Sequence, residues 1–376
     1  MIAGAILDLG HLGRRMVRLV GTVPLVTVLS LGIAGAVSPA TTGPSVQLKQ
    51  AARYLQAGDL AKAEEVLQQL LKASPTHPEA LNMLGVVRGE QQRLDEAETL
   101  FRRALKISPR LGRAYVNLAH LYERRNQPDQ ALGVLEKAAK VLPRDPEVLH
   151  DLALLHAAGG NYLTAVIALR AIPVTRRPRD YWELLARLYL SADDFARAEE
   201  SLLRALEKKP DSVSTLRQLA GVALKRGAAP RAWEYLAQAR RLAPNSPDLL
   251  YEFAQVSLQN NLAREAVLAL RKALLLEPER PEFLLAMGEA LLNTLDFHEA
   301  PPYFERYVKL KPDDPLGHLS LGWALYVEKD FDRSRQHLEE CLRLNPDLVD
   351  ATYHLGMIAY QNGEDDRARE LLTRVV

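Results

Sequence analysis

Large apolar residues and small residues alternate along this chain with one long period. Leu84, Leu118, Leu152, Leu185, Leu219, Phe253, Met287, Leu321 and Leu355 each precede a small residue, Gly85, Ala119, Ala153, Ala186, Ala220, Ala254, Gly288, Gly322 and Gly356. Twelve residues after each of these comes another small one, as at Ala97, Ala131, Ala165, Ala198, Ala232, Ala266, Ala300, Ser334 and Ala368. Large apolar residues such as Leu67, Phe101, Leu135, Leu202, Leu270, Phe304 and Leu338 follow those small positions. Prolines close the units: Pro75, Pro109 and Pro143 lie 34 apart, as do Pro210, Pro244, Pro278, Pro312 and Pro346. The pattern predicts two amphipathic helices per unit, with close crossings where side chains are small. Units begin at Pro44, Pro78, Gly112, Pro146, Arg179, Val213, Pro247, Pro281, Pro315 and Val349, and the tenth stops short.

A unit of this size cannot bury an apolar face alone, so neighbours must stack. Gly58, Asn126, Gly160, Gly227, Asn261 and Gly363 stand where the turn inside a pair needs positive φ. Asp59, Asn161, Asp194, Asp296 and Asp330 follow as expected helix caps. The period, the small-residue positions and segments such as Ala114-Tyr115-Val116-Asn117-Leu118-Ala119 resemble the tetratricopeptide-repeat family, over residues 44 to 376. The resemblance implies an all-α solenoid, a right-handed superhelix of about ten helix pairs. It also implies a concave groove, lined by the first helix of each unit, that binds protein or peptide partners. Two specialisations of the family are absent. A clamp for a terminal carboxylate would need Lys and Asn where Leu48 and Ala52 stand. An asparagine ladder would continue from Asn117, but Asp151, Leu184, Gln218, Glu252, Ala286, Ser320 and His354 follow.

Composition adds exclusions. Hydrophobic residues make up 48% and charged residues 25%, which describes a folded chain. A formal charge of +1 gives no basic field for nucleic acid. The one cysteine, Cys341, takes a small-residue position on a second helix and reads as a buried thiol. His150 and His156 are six apart and face different ways, so no histidine pair reads as a metal site. No phosphate-binding loop occurs, and Gly159-Gly160 is a turn. The chain is therefore expected to catalyse nothing and to need no cofactor. No pattern indicates an oligomeric state.

Residues 1–43 stand apart. Arg14, Arg15 and Arg18 precede an uncharged run from Leu19 to Val37, and small residues follow at Ala36 and Ala40. That is the layout of an export signal. Its rival is a single uncleaved N-terminal membrane span over residues 19–37. Either reading places the remainder outside the cytoplasm, in the periplasm or the extracellular space. The expected function is a scaffold or adaptor of the cell envelope. The alternative is the binding region of a longer protein whose catalytic or pore-forming domain lies beyond residue 376, since the tenth unit is incomplete.

Two irregularities are expected. Pro173 should end a second helix near Ala171 and leave Val174 to Pro178 as an exposed joint, dividing units 1–4 (residues 44–178) from units 5–10 (179–376). Pro301 and Pro302 should delay the second helix of unit eight, with Tyr307 filling the loosened contact. Along the groove, Glu79, Asn82, Arg113, His120, Glu123, Arg124, Glu147, His150, Glu183 and Arg187 form a mixed sector that reads as solvated. Further on, Leu316, Leu319, Trp323 and Tyr326, with Tyr353, Met357 and Tyr360, form a second apolar stripe on helices already supplied with a core face. These seven residues are the candidate partner-binding site.

Overall fold

A computed structural model describes residues 43–375 and shows twenty α-helices and no strand among them. They fall into two compact units, one ending at Ala198 and one beginning at Glu199. The first holds α1 (Pro44–Gln56), α2 (Leu60–Ala73), α3 (Pro78–Glu90), α4 (Leu94–Ile107), α5 (Gly112–Arg124), α6 (Pro128–Val141), α7 (Pro146–Ala158), α8 (Tyr162–Arg170) and α9 (Tyr181–Ser191). The boundary falls within α10 (Phe195–Lys208). The second unit continues with α11 (Val213–Lys225), α12 (Ala229–Leu242), α13 (Pro247–Gln259), α14 (Ala263–Leu276), α15 (Pro281–Thr294), α16 (Pro301–Leu310), α17 (Pro315–Val327), α18 (Phe331–Leu344), α19 (Val349–Gln361) and α20 (Asp365–Thr373). From α1 to α9 and from α11 to α20 each helix packs on the next, so consecutive pairs stack. The run 19–37 lies outside the described residues. Among the described residues no helix is long and apolar enough to cross a membrane.

The small-residue positions have a direct cause. A Cβ on Gly85 would lie 2.6 Å from Cε1 of Phe101, and one on Gly322 would lie 2.7 Å from Cγ of Leu338. The large apolar residue of each second helix occupies the space that a side chain would need. Phe101, Leu135, Leu202, Leu270, Phe304 and Leu338 are all fully buried there. Cys341 is buried among them, and burial pushes its thiol pKa up to about 11, which keeps it protonated and unreactive.

All six expected turn residues have positive φ, from 57° at Asn126 and Asn261 to 77° at Gly160. Gln92, Asp193, Leu295 and Lys329 do the same in four further turns, although of these only the Asp193 side chain favours it. The stacked helices impose that turn whatever residue occupies it. Asp59, Asp194 and Asp330 cap as expected, accepting from the backbone N–H of Lys62, Arg197 and Arg333. Asn161 and Asp296 do not cap through their side chains, and the Asp296 carboxylate instead accepts from Thr294 Oγ1 at 2.7 Å.

Both second helices are interrupted at the expected prolines. The helix α8 ends at Arg170 with Ala171 as its cap, and a short 3-10 turn follows at Val174–Arg176. Val174 and Arg176 are exposed, but Arg177 is not free. Its guanidinium lies 4.4 Å from the Tyr181 ring centre and 5.2 Å from that of Trp182, which fastens the link to the start of α9. In unit eight a 3-10 turn at Phe297–Glu299 precedes α16, which starts at Pro301. Tyr307 is buried and fills the crossing, its ring 2.7 Å from where a Cβ on Gly317 would stand. Its hydroxyl donates to Asp314, and burial together with that carboxylate holds its pKa well above the ordinary value.

Candidate functional site

The first helix of each pair presents a face that its own pair does not cover. In the first unit this face is an ordered polar network on α3, α5 and α7, not the solvated surface that the sequence suggests. Asn117 Nδ2 donates to Asn82 Oδ1 at 3.0 Å, and both residues are buried. One turn on, Asp151 lies between two imidazoles, 2.9 Å from His120 Nε2 and 3.1 Å from His150 Nδ1. Arg113 pairs with Glu147 and Arg124 with Glu90, each at 3.5 Å. Glu79, Asn82, Arg113 and Glu147 line a cavity of about 480 Å3. Glu183 keeps one buried carboxylate oxygen without a partner, and Arg187 is exposed.

The electrostatics follow from half-burial. Loss of water would raise the Asp151 pKa, but the two imidazoles outweigh it and hold the carboxylate below its usual range. Burial would lower the His120 pKa, but the hydrogen bond and charge of Asp151 raise it above that of a free imidazole. Glu123 moves the other way, raised by burial, with Asp151 adding to the shift and His120 opposing it. The network therefore favours the ionised forms of His120 and Asp151, and Glu123 beside them gives up its proton less readily than a free carboxylic acid. Among the described residues no group of three or more His, Cys, Asp and Glu side chains is placed to hold a metal ion.

In the second unit the face on α17 and α19 is apolar and aromatic. The structure brings all seven candidate residues to that face. Leu316, Tyr353 and Tyr360 are 52%, 42% and 61% exposed, and Leu319, Trp323, Tyr326 and Met357 are half-buried. Trp323 stacks on His354 at 4.5 Å between ring centres and on Tyr326 at 5.6 Å. Tyr353 meets the same imidazole edge-on at 5.4 Å. Leu319 and Tyr326 also lean on the core formed by Leu338, Cys341, Ala351, Leu355 and Ile358. Those two have a share in folding, while Trp323, Tyr353 and Tyr360 do not belong to that core. The sequence reading missed His354 as part of this surface. Its signal was its place beside Tyr353, at the position where α17 carries Ser320. Burial lowers its pKa, so the imidazole between the rings is neutral at pH 7.

Two family profiles described as tetratricopeptide repeat match the chain, one over residues 48–111, 183–247, 251–315 and 319–376, the other over 90–150. No curated protein matches it. Among solved structures, the C-terminal part of a TPR repeat-containing protein from Cytophaga hutchinsonii is 17% identical, with a TM-score of 0.55 over 64% of this chain and 99% of that one. A tetratricopeptide repeat protein from Parabacteroides merdae is 18% identical, with a TM-score of 0.41 over 66% of this chain and 98% of that one. MamA from Desulfovibrio magneticus RS-1 is 24% identical, with a TM-score of 0.42 over 43% of this chain and 92% of that one. At these identities the likeness concerns the fold alone.

Proposed function

We propose that this chain, which belongs to the tetratricopeptide-repeat family, is a non-catalytic scaffold of the cell envelope that holds segments of partner proteins in a groove formed by its first helices. One observation carries the reading: α17 and α19 each bury one face and display a second apolar one, with Trp323, Tyr353 and Tyr360 at least partly open to solvent. A helix packed on one side needs a single apolar stripe. A contiguous exposed second stripe rich in Trp, Tyr and Met has the composition of a protein-binding surface. Its position on the first helices is where the family binds its partners.

A photo-crosslinking side chain in place of Tyr353, in the full chain and in its own cell, tests the groove. A partner segment should be joined to it, and Trp323→Ala should abolish the product while leaving the melting temperature near that of the parent. No joined product, or one unaffected by Trp323→Ala, would refute the groove. Export is tested separately by fusing residues 1–50 to a reporter active only outside the cytoplasm. Activity is expected, and a silent cytoplasmic reporter would remove the envelope from the proposal.

A further inference from the structure

The aromatic stripe is one end of a face with an unusual charge pattern. The four first helices of the last four pairs, α13, α15, α17 and α19, contain no lysine and no arginine. They contain five carboxylates: Asp248, Glu252, Glu282, Glu289 and Asp350. Arginines from outside these helices answer three of them. Arg217 on α11 pairs with Glu252, and Arg280, just before α15, reaches Asp248 at 2.7 Å and Glu282 at 3.6 Å. Among the described residues, neither Glu289 nor Asp350 has an ion pair or a side-chain hydrogen bond. The two histidines on these helices are engaged elsewhere than with these carboxylates. His318 is buried, with Nε2 at 3.0 Å from the Pro312 carbonyl and Nδ1 at 3.1 Å from His337, and His354 is stacked among the rings. The second helices do not repeat the pattern: on α18, Arg333, Arg335 and Arg343 are all paired with carboxylates.

Glu289 is the best placed of the unanswered carboxylates. The repeat puts Gln255, Glu289, Trp323 and Met357 at equivalent positions on successive first helices, and α15 packs against α17. Glu289 is therefore the next place along the groove from the Trp323 ring. Its side chain is exposed on that face. A carboxylate left unanswered beside an apolar platform, on helices that carry no lysine or arginine of their own, is the complement of a basic side chain within an apolar segment. The same charges repel nucleic acid and anionic lipid.

From this complementarity we infer that the segment held by the last repeats is apolar and carries a lysine or arginine that pairs with Glu289 while a neighbouring apolar side chain packs on Trp323. The inference rests on the groove reading above. Adjacent packed helices stand about 10 Å apart. An extended segment spans that distance in about three residues, and a helical one in about seven, so the spacing between the basic and the apolar residue reports the form of the bound segment.

The test is a selection of a displayed library of random twelve-residue peptides on the full chain, on Glu289→Lys and on Trp323→Ala. Circular dichroism melts confirm that the variants fold. The parent should enrich peptides with Lys or Arg three or seven positions from a large apolar residue. Glu289→Lys should switch the preferred charge to Asp or Glu and leave the apolar position unchanged, and Trp323→Ala should cut enrichment of the whole set. For the best peptide, Glu289→Gln should raise Kd about tenfold at low salt, with a smaller effect as salt rises. Peptides that need Trp323 but show no basic preference, or whose preference survives Glu289→Lys, would overturn this inference and leave the groove reading standing. Peptides indifferent to Trp323 would remove the groove reading and the inference with it.

Discussion

Phe304→Ala should cost about 3–5 kcal/mol, the range for emptying a fully buried aromatic position. Phe304 has no exposed surface, and the outer end of its ring sits against the backbone of α15 at Gly288. A Cβ on Gly288 would stand 2.5 Å from Cε1 of that ring. The void left by alanine is bounded by helix backbone, which cannot move in to fill it. The same contact makes a second, linked outcome. Gly288→Ala in the parent should cost about 1–3 kcal/mol through overpacking. Placed on Phe304→Ala, the added methyl has room, so the pair should lose less than the two single losses combined. In a stack held together by nearest neighbours, the damaged pair should also melt as a weak point, and the unfolding curve should broaden. Urea unfolding of the four proteins decides it. A loss below about 1 kcal/mol for Phe304→Ala, or strict additivity, would show that the ring and the glycine are not one packed contact.

The second large effect lies in the first unit and depends on pH. Arg88, although charged, is buried on α3. Its guanidinium meets Glu64 of α2 at 2.6 Å, Gln91 at 2.8 Å and Glu96 at 3.2 Å. Gln91 Nε2 donates to the same Glu64 oxygen, Oε2, at 2.9 Å, and Arg88 also donates to Oε1 at 2.8 Å. The hydrogen bonds from Arg88 and Gln91, together with the Arg88 charge, hold the Glu64 carboxyl at about 2, against 4.5 when free. A shift of that size corresponds to about 3 kcal/mol. Because the folded-state pKa is the lower one, this stability is fully present above about pH 4.5. It is lost as the pH falls towards 2, where the carboxyl protonates in the folded protein as well. Glu64→Gln imitates the protonated form. It should cost about 3 kcal/mol at pH 7, because a buried guanidinium keeps only Glu96 as a charged partner. The difference between parent and variant should shrink through the pH range 4.5 to 2. A difference that is the same at pH 7 and pH 2.5 would show that the carboxylate charge is not what holds α2 and α3 together.

The repeat itself was legible because it is written in side-chain size. Gly85, Gly288 and Gly322 mark helix crossings that admit no Cβ, and Phe101, Phe304 and Leu338 are their counterparts. The two breaks were legible through proline, which cannot sit in a helix interior: α8 stops short of Pro173 and α16 starts at Pro301. The second apolar stripe on α17 and α19 was legible because helical spacing alone assigns those residues to a face. The chain's own letters thus determined the number of pairs, their register, where they deviate and which first helices carry an excess of apolar residues. Each of these depends on residues close in sequence, or on a fixed period.

What the sequence could not show depends on which side chains meet across helices. Asn82 and Asn117 are 35 residues apart and hydrogen-bond only because α3 and α5 are adjacent. His120 and Asp151 likewise meet only across α5 and α7, so residues that looked solvated form a half-buried network. Arg177, expected on an open link, turns back onto Tyr181 and Trp182. His354 joins the aromatic surface because α19 sets it against Trp323 of α17. Leu295 and Lys329 take positive φ because the stack closes the turn there, against their own preference. The tertiary structure alone also decided the charge of the last first-helix face. Arg217 and Arg280 reach Asp248, Glu252 and Glu282, and among the described residues no arginine forms an ion pair with Glu289. Local pattern governs which residues share a helix face, and only the packing of one helix on another determines what that face meets.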